Sequence, residues 1–98
     1  MRAIVPKNKI MDLEEIKSKI KTNVYHITAD KVVALHKHQN SDELFYCMSG
    51  SGYGVLENNE IELKVGEVFN VPAGTLHALR TDSDFLVGSF LIPVIKPS

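Results

Sequence analysis

From Val24 onward, apolar and polar positions alternate in short runs separated by turn-forming residues: "VYHIT", "KVVALHKH", "ELFYCM", "GYGVLE", "EIELKV", "EVFNVP", "LHALRT" and "FLVGSFLI". Alternation marks strands with one face buried, and its recurrence at short, regular spacing predicts an all-β sandwich or barrel. Glu57-Asn58-Asn59-Glu60 is expected to form a tight hairpin, with asparagine tolerating positive φ, and Gly50, Gly52 and Gly66 to mark neighbouring turns, Gly50-Ser51-Gly52 ending a strand. Before Val24 the period changes. In "IMDLEEIKSKIKTN" the apolar residues Ile10, Leu13, Ile16 and Ile20 recur at helical spacing behind Asp12 and Glu15, a capping-box pair, so a short amphipathic helix packed on the rim is predicted. The opening "MRAIVPKNK" is broken by Pro6 and suits a terminal arm or edge strand. Residues 1–23 thus read as arm and helix and residues 24–98 as one barrel, with no internal repeat and no second domain.

Composition narrows the partners. A chain of 98 residues buries a modest share of its unfolded surface, so a second subunit would help it. Eleven Lys and Arg against twelve Asp and Glu give a net charge of -1, which points away from nucleic acid and from an anionic membrane and toward a small neutral or mildly polar ligand. Cys47 is the single cysteine and excludes an internal disulfide; with no apolar leader at the N-terminus, the cytoplasm is the expected location.

The candidate chemistry sits in "ALHKHQNSDELFYCMSGSG", residues 34 to 52. His36 and His38, two positions apart, would leave one face of a strand about 7 Å from each other. Val32 and Ala34 share their parity, and Glu43, Phe45 and Cys47 share another on the following run. Two imidazoles and a carboxylate facing an apolar interior are costly without a partner, and a divalent cation relieves all three. "GEVFNVPAGTLHALRT" offers a fourth donor, His77, aimed by the Pro72-Ala73-Gly74 turn. Taken singly, each of these residues is more often a hydrogen-bonded or solvated side chain; their joint placement favours a metal site. His26 stands outside the arrangement, and Arg80, of opposite parity to His77, should point away.

These residues resemble the two signature motifs of the cupin superfamily. The first, G-x5-H-x-H-x3,4-E-x6-G, is matched by His36, His38, Glu43 and Gly50; the second, G-x5-P-x-G-x2-H-x3-N, by Gly66, Pro72, Gly74 and His77. Asp30 replaces the opening glycine and Thr81 the closing asparagine. The stretch between the motifs is short, as in compact single-domain members. The resemblance implies a small double-stranded β-helix, or jelly-roll barrel, with a short N-terminal helix. It implies that His36, His38, His77 and Glu43 ligate a divalent Fe, Mn, Ni, Co or Zn ion; strand parity adds Phe45, Cys47, Tyr53 and Leu79 as expected pocket-lining residues. Cys47 is expected to act there as packing and not as a nucleophile.

Three functions fit. One is a metalloenzyme of dioxygenase, isomerase or lyase type acting on a small molecule; another is a non-catalytic binder of a sugar-like effector; the third is a closed structural zinc site. A homodimer is expected, with "RAIV" available to extend a neighbour's sheet.

Overall fold

Strand β2, Ser41–Val55, organises the molecule because its two halves belong to different sheets. The computed structural model describes residues 12–31 and 34–95. Around β2 lie helix α1 (Leu13–Lys19) and strands β1 (Lys21–Thr28), β3 (Glu60–Lys64), β4 (Val68–Val71), β5 (Ala78–Arg80) and β6 (Asp84–Pro93). The first half of β2 is flanked by β6 and β4, and β1 pairs with the far side of β6 from Lys21↔Leu91 to Thr28↔Asp84. The second half is flanked by β3 and β5, with Tyr53 opposite both Glu62 and Arg80. Every pairing is antiparallel, and the inward residues of the two sheets meet in one core of Phe45, Cys47, Leu63, Phe69, Val71, Leu79, Phe85 and Val87, with Ile27 at the β1 edge. This is the expected all-β jelly roll with one short helix.

Gly66, at φ 89°, sits in the turn between β3 and β4 as expected, but Gly50 and Gly52 do not end a strand. Gly50 and Gly52 lie inside β2, where the register slips between Cys47 and Ser49 and the strand bends from one sheet into the other. A Cβ on Gly50, at φ 75°, would come within 2.0 Å of the Asp84 carbonyl oxygen, and one on Gly54 within 2.4 Å of the Phe69 ring. Close approach, not chain reversal, therefore requires these positions to be bare. The expected hairpin does join β2 to β3, closed by Leu56 N–H donating to the Asn59 carbonyl at 2.9 Å. No asparagine in it has positive φ, because the loop spans four residues instead of two.

Two further expectations are corrected. "KVVALHKH" forms no strand over its described residues, 31 and 34–38; its one ladder contact is the isolated bridge His36↔His77, and Val32 lies outside the described residues. Helix α1 starts at Asp12, whose Oδ1 accepts the N–H groups of Glu14 (3.0 Å) and Glu15 (3.3 Å), but the reciprocal half of the capping box is replaced by an ion pair from Glu15 to Lys19 at 3.3 Å. No residue of α1 is buried and Leu13 is 75% exposed, so the helix is not packed down on the barrel rim as its apolar spacing suggested. Ile10 and the "RAIV" segment fall outside the described residues.

Candidate metal centre

The four sequence-selected polar residues arrive from three segments. Glu43 is delivered by the first half of β2, whose alternation buries Glu43, Phe45 and Cys47 together. His77 precedes β5 after the turn at Pro72, where Thr75 N–H bonds the Pro72 carbonyl at 3.2 Å and Gly74 takes φ 86°. The segment with His36 and His38 is laid across that turn: His36 and His77 exchange both backbone hydrogen bonds, at 2.9 and 2.8 Å, and Gly74 N–H donates to the His38 carbonyl at 2.8 Å. These bonds explain why 34–38 is not a strand. Its backbone polar groups are satisfied at the mouth of the barrel instead of along a sheet.

One donor atom from each of His36, His38, Glu43 and His77 lies within 4.8 Å of the others. Opposite ligands of an octahedral ion with bonds of 2.0–2.2 Å stand about 4 Å apart, so the cluster has the dimensions of a coordination sphere. Outer hydrogen bonds orient these donors. His77 Nδ1 lies 2.9 Å from the Thr75 carbonyl and His36 Nδ1 lies 3.1 Å from the Ala34 carbonyl. Carbonyls only accept, so both Nδ1 atoms carry a proton, which leaves each Nε2 for the cluster. Ser89 Oγ donates to Glu43 Oε2 at 2.6 Å, leaving Oε1 to face His77 Nε2 at 2.9 Å and His38 Nε2 at 3.3 Å.

The electrostatics follow from that crowding. His77 and Glu43 are both buried. Burial opposes the charged form of Glu43, but hydrogen bonds from His77 and Ser89, with the nearby imidazoles, hold its carboxyl below the usual range. Burial likewise opposes imidazolium at His77, and the acceptors Glu43 and Thr75 raise it above the usual value. A neutral His77 would set two acceptors against each other at 2.9 Å; a proton or a cation must stand between them.

A cavity of about 490 Å³ opens over His36, His38 and Glu43. Phe45 and Leu79 line it, whereas Cys47 is sealed in the core and Tyr53 lies under the Arg80 guanidinium, 4.1 Å from its ring centre. Arg80 points away from the cluster to Glu60, through two hydrogen bonds of 2.6 and 2.7 Å, and to Asp82 at 2.9 Å. Sequence reasoning missed the wall formed by Val24, Tyr25, Ile27, Lys31 and Leu91, and missed Ser89. Ser89 had a signal: it shares the inward parity of Phe85 and Val87 in "FLVGSFLI", a hydroxyl on an otherwise apolar face. Thr81, in place of asparagine, donates Oγ1 to the Ser51 carbonyl at 2.6 Å and accepts from Ser83 N–H, tying the second half of β2 to the turn before β6.

Known proteins share this fold. The chain is 34% identical over 70 residues to quercetin 2,3-dioxygenase of Bacillus subtilis, a match covering 69% of the chain but 20% of that protein, so it spans about a fifth of this relative's length. The barrel superimposes on the crystal structure of a predicted oxalate decarboxylase from Thermotoga maritima with a TM-score of 0.73 at 20% identity, covering 87% of this chain and 76% of that one. It also matches the DMSP lyase DddQ from Ruegeria pomeroyi with a TM-score of 0.69 at 21% identity, covering 81% and 41%. Identities this low speak for the fold alone. The cupin domain model matches residues 23–92, most of the chain and all of the described strands but the ends of β1 and β6. On that match, the chain belongs to the cupin family.

Proposed function

We propose that the chain is a metal-dependent cupin in which His36, His38, Glu43 and His77 hold one divalent ion at the floor of an open cavity and present it to a small organic substrate. The observation that carries this reading is the facing of His77 Nε2 and Glu43 Oε1 across 2.9 Å while the far sides of both groups are already hydrogen-bonded. A divalent ion satisfies these donors together with His36 and His38, and the set of imidazoles and one carboxylate suits Fe, Mn, Ni, Co or Zn. When bound, such an ion supplies Lewis acidity and coordination positions for an oxygen donor. The chain supplies the rest. Ser89 fixes the carboxylate, the Thr75 and Ala34 carbonyls fix two of the rings, and Phe45, Leu79 and Leu91 give the substrate an apolar wall that excludes water.

The cavity over the cluster supports an accessible site over a closed structural zinc site. The relatives include a dioxygenase, a predicted decarboxylase and a lyase, which supports chemistry on a small molecule and selects no single reaction. Loading the chain with Mn(II) and measuring water-proton relaxation tests the open site: enhancement that a chelating ligand quenches is expected, and a bound ion without exchangeable water would defeat the reading. Fe(II)-loaded protein incubated with small diketones, diols and thiols then reports oxygen consumption, separating an oxygenase from a binder.

Residues 24–98 are the barrel in this reading and residues 1–23 its preface. The proposed assembly is a homodimer, supported by an uncharged apolar strip on the outer face of the β6–β2–β4 sheet: Gly88, Tyr46 and Val68 form one row, flanked by Phe90 and Met48, and the large side chains are exposed. Among the described residues no helix is long and apolar enough to cross a membrane, and a cytoplasmic setting agrees with a free, buried Cys47.

A further inference from the structure

Lys31 is the one side chain of the described cavity wall that carries a fixed positive charge. It follows the turn after β1, where its N–H bonds the Thr28 carbonyl, and its Nζ reaches back over the β1 edge to the His26 carbonyl at 3.3 Å. No carboxylate forms an ion pair with it among the described residues: Asp30 gives its carboxylate to the Thr28 hydroxyl and feels the Lys31 charge without a direct contact, and Asp84 faces His26. A neutral carbonyl at that distance leaves most of the donor capacity of an ammonium group unused.

The remaining wall is mostly apolar, with Ile27, Phe45, Leu79 and Leu91 closing around the site; besides the metal donors its polar members are Tyr25 and His26, whose Nε2 faces Asp84. Resting on the metal reading above, the cavity then carries an excess of positive charge: a divalent ion outweighs the single Glu43 carboxylate, and Lys31, exposed at the rim of the cavity, adds a further charge. A pocket with that balance disfavours a cation, and an anion offers the ammonium a stronger, charge-assisted hydrogen bond than a neutral oxygen does.

We infer that Lys31 is a specificity-determining residue that selects a small organic anion with an apolar body, one oxygen of which reaches the metal while its negative charge is balanced by the ammonium. The neutral or mildly polar ligand suggested by overall charge is replaced by an anion, because the local balance in the cavity differs from the net charge of the chain. An oxygen donor that ligates the ion and an anionic charge that meets Lys31 can belong to one carboxylate or to two adjacent groups.

The test uses Ni(II)-loaded full-length protein, its metal content verified by elemental analysis, titrated calorimetrically with salicylate and with the neutral salicylamide. Salicylate is expected to bind more tightly, Lys31→Gln to weaken salicylate about tenfold, the scale of one charge-assisted hydrogen bond, and to leave salicylamide unchanged. Lys31→Arg is expected to retain the preference. Equal binding of the two ligands, no binding of either, or a Lys31→Gln loss shared equally by both overturns the inference while the metal reading stands. Protein that takes up no metal overturns both, and the elemental analysis distinguishes the two failures.

Discussion

At the residue scale, the arrangement rests on buried polar groups whose partners are all accounted for: among the described residues no buried side-chain nitrogen or oxygen is without a hydrogen bond. Ser89 is the sharpest example, since its hydroxyl does nothing in the barrel except hold Glu43 Oε2. Ser89→Ala should lower metal affinity about 10–100-fold, as loss of an outer partner generally does, while metal-free protein keeps its fold; competition with a fluorescent chelator reads the change. Cys47 makes the opposite case. It is fully buried, and burial pushes its thiol above the usual value, with the Glu67 charge acting the same way and a contact to the Ser49 carbonyl only partly opposing. The thiol is therefore protonated at neutral pH and inert. Iodoacetamide should leave native protein unmodified and label it fully in denaturant; rapid native labelling would show that Cys47 is accessible.

The four clustered donors were legible from H-x-H, the following glutamate and the P-x-G-x2-H turn because short-range spacing carries them. Ser89 and Lys31 were not singled out, since each acts across a strand pairing or a chain reversal that spacing alone does not express.

At the element scale, period-2 alternation identified the six described strands, clearest in β2, β4 and β6, where one face is buried, and weakest in β1, which buries only Ile27; it misread two segments. Residues 34–38 alternate without forming a strand, their backbone being satisfied by His77 and Gly74 across the barrel mouth. Gly50 and Gly52 resemble turn glycines yet sit within β2, where a neighbouring backbone and the Phe85 ring leave no room for a side chain. Pattern reports burial; it does not report close approach. Gly54→Ala should consequently destabilise the fold by about 1–3 kcal/mol, because the new methyl meets the Phe69 ring in a packed core. Gly74→Ala meets no neighbour but is placed at φ 86°, so its cost of about 1 kcal/mol is conformational. Urea unfolding of both variants measures the difference, and equal midpoints would contradict this division of roles.

For the whole molecule, a chain of 98 residues whose barrel carries an apolar strip on one outer face has little area to bury by itself, and the proposed pairing of that strip between two copies would add to it. Sedimentation velocity should find a dimer, and Val68→Glu, placing a charge in the middle of the strip, should shift it to monomer. Wild-type protein that stays monomeric at high concentration would contradict the pairing. Fold class was recoverable from sequence because alternation recurs along the chain after residue 23.

The central claim is that four side chains from three segments form one metal site. Calorimetric titration of metal-free protein with Ni(II), run in parallel on wild type and on the near-isosteric Glu43→Gln, tests it most directly. One ion per chain is predicted for wild type, with affinity reduced in Glu43→Gln by more than the roughly 10–100-fold that an outer partner contributes. Absence of stoichiometric binding by wild type, or equal affinity in the variant, would contradict the account.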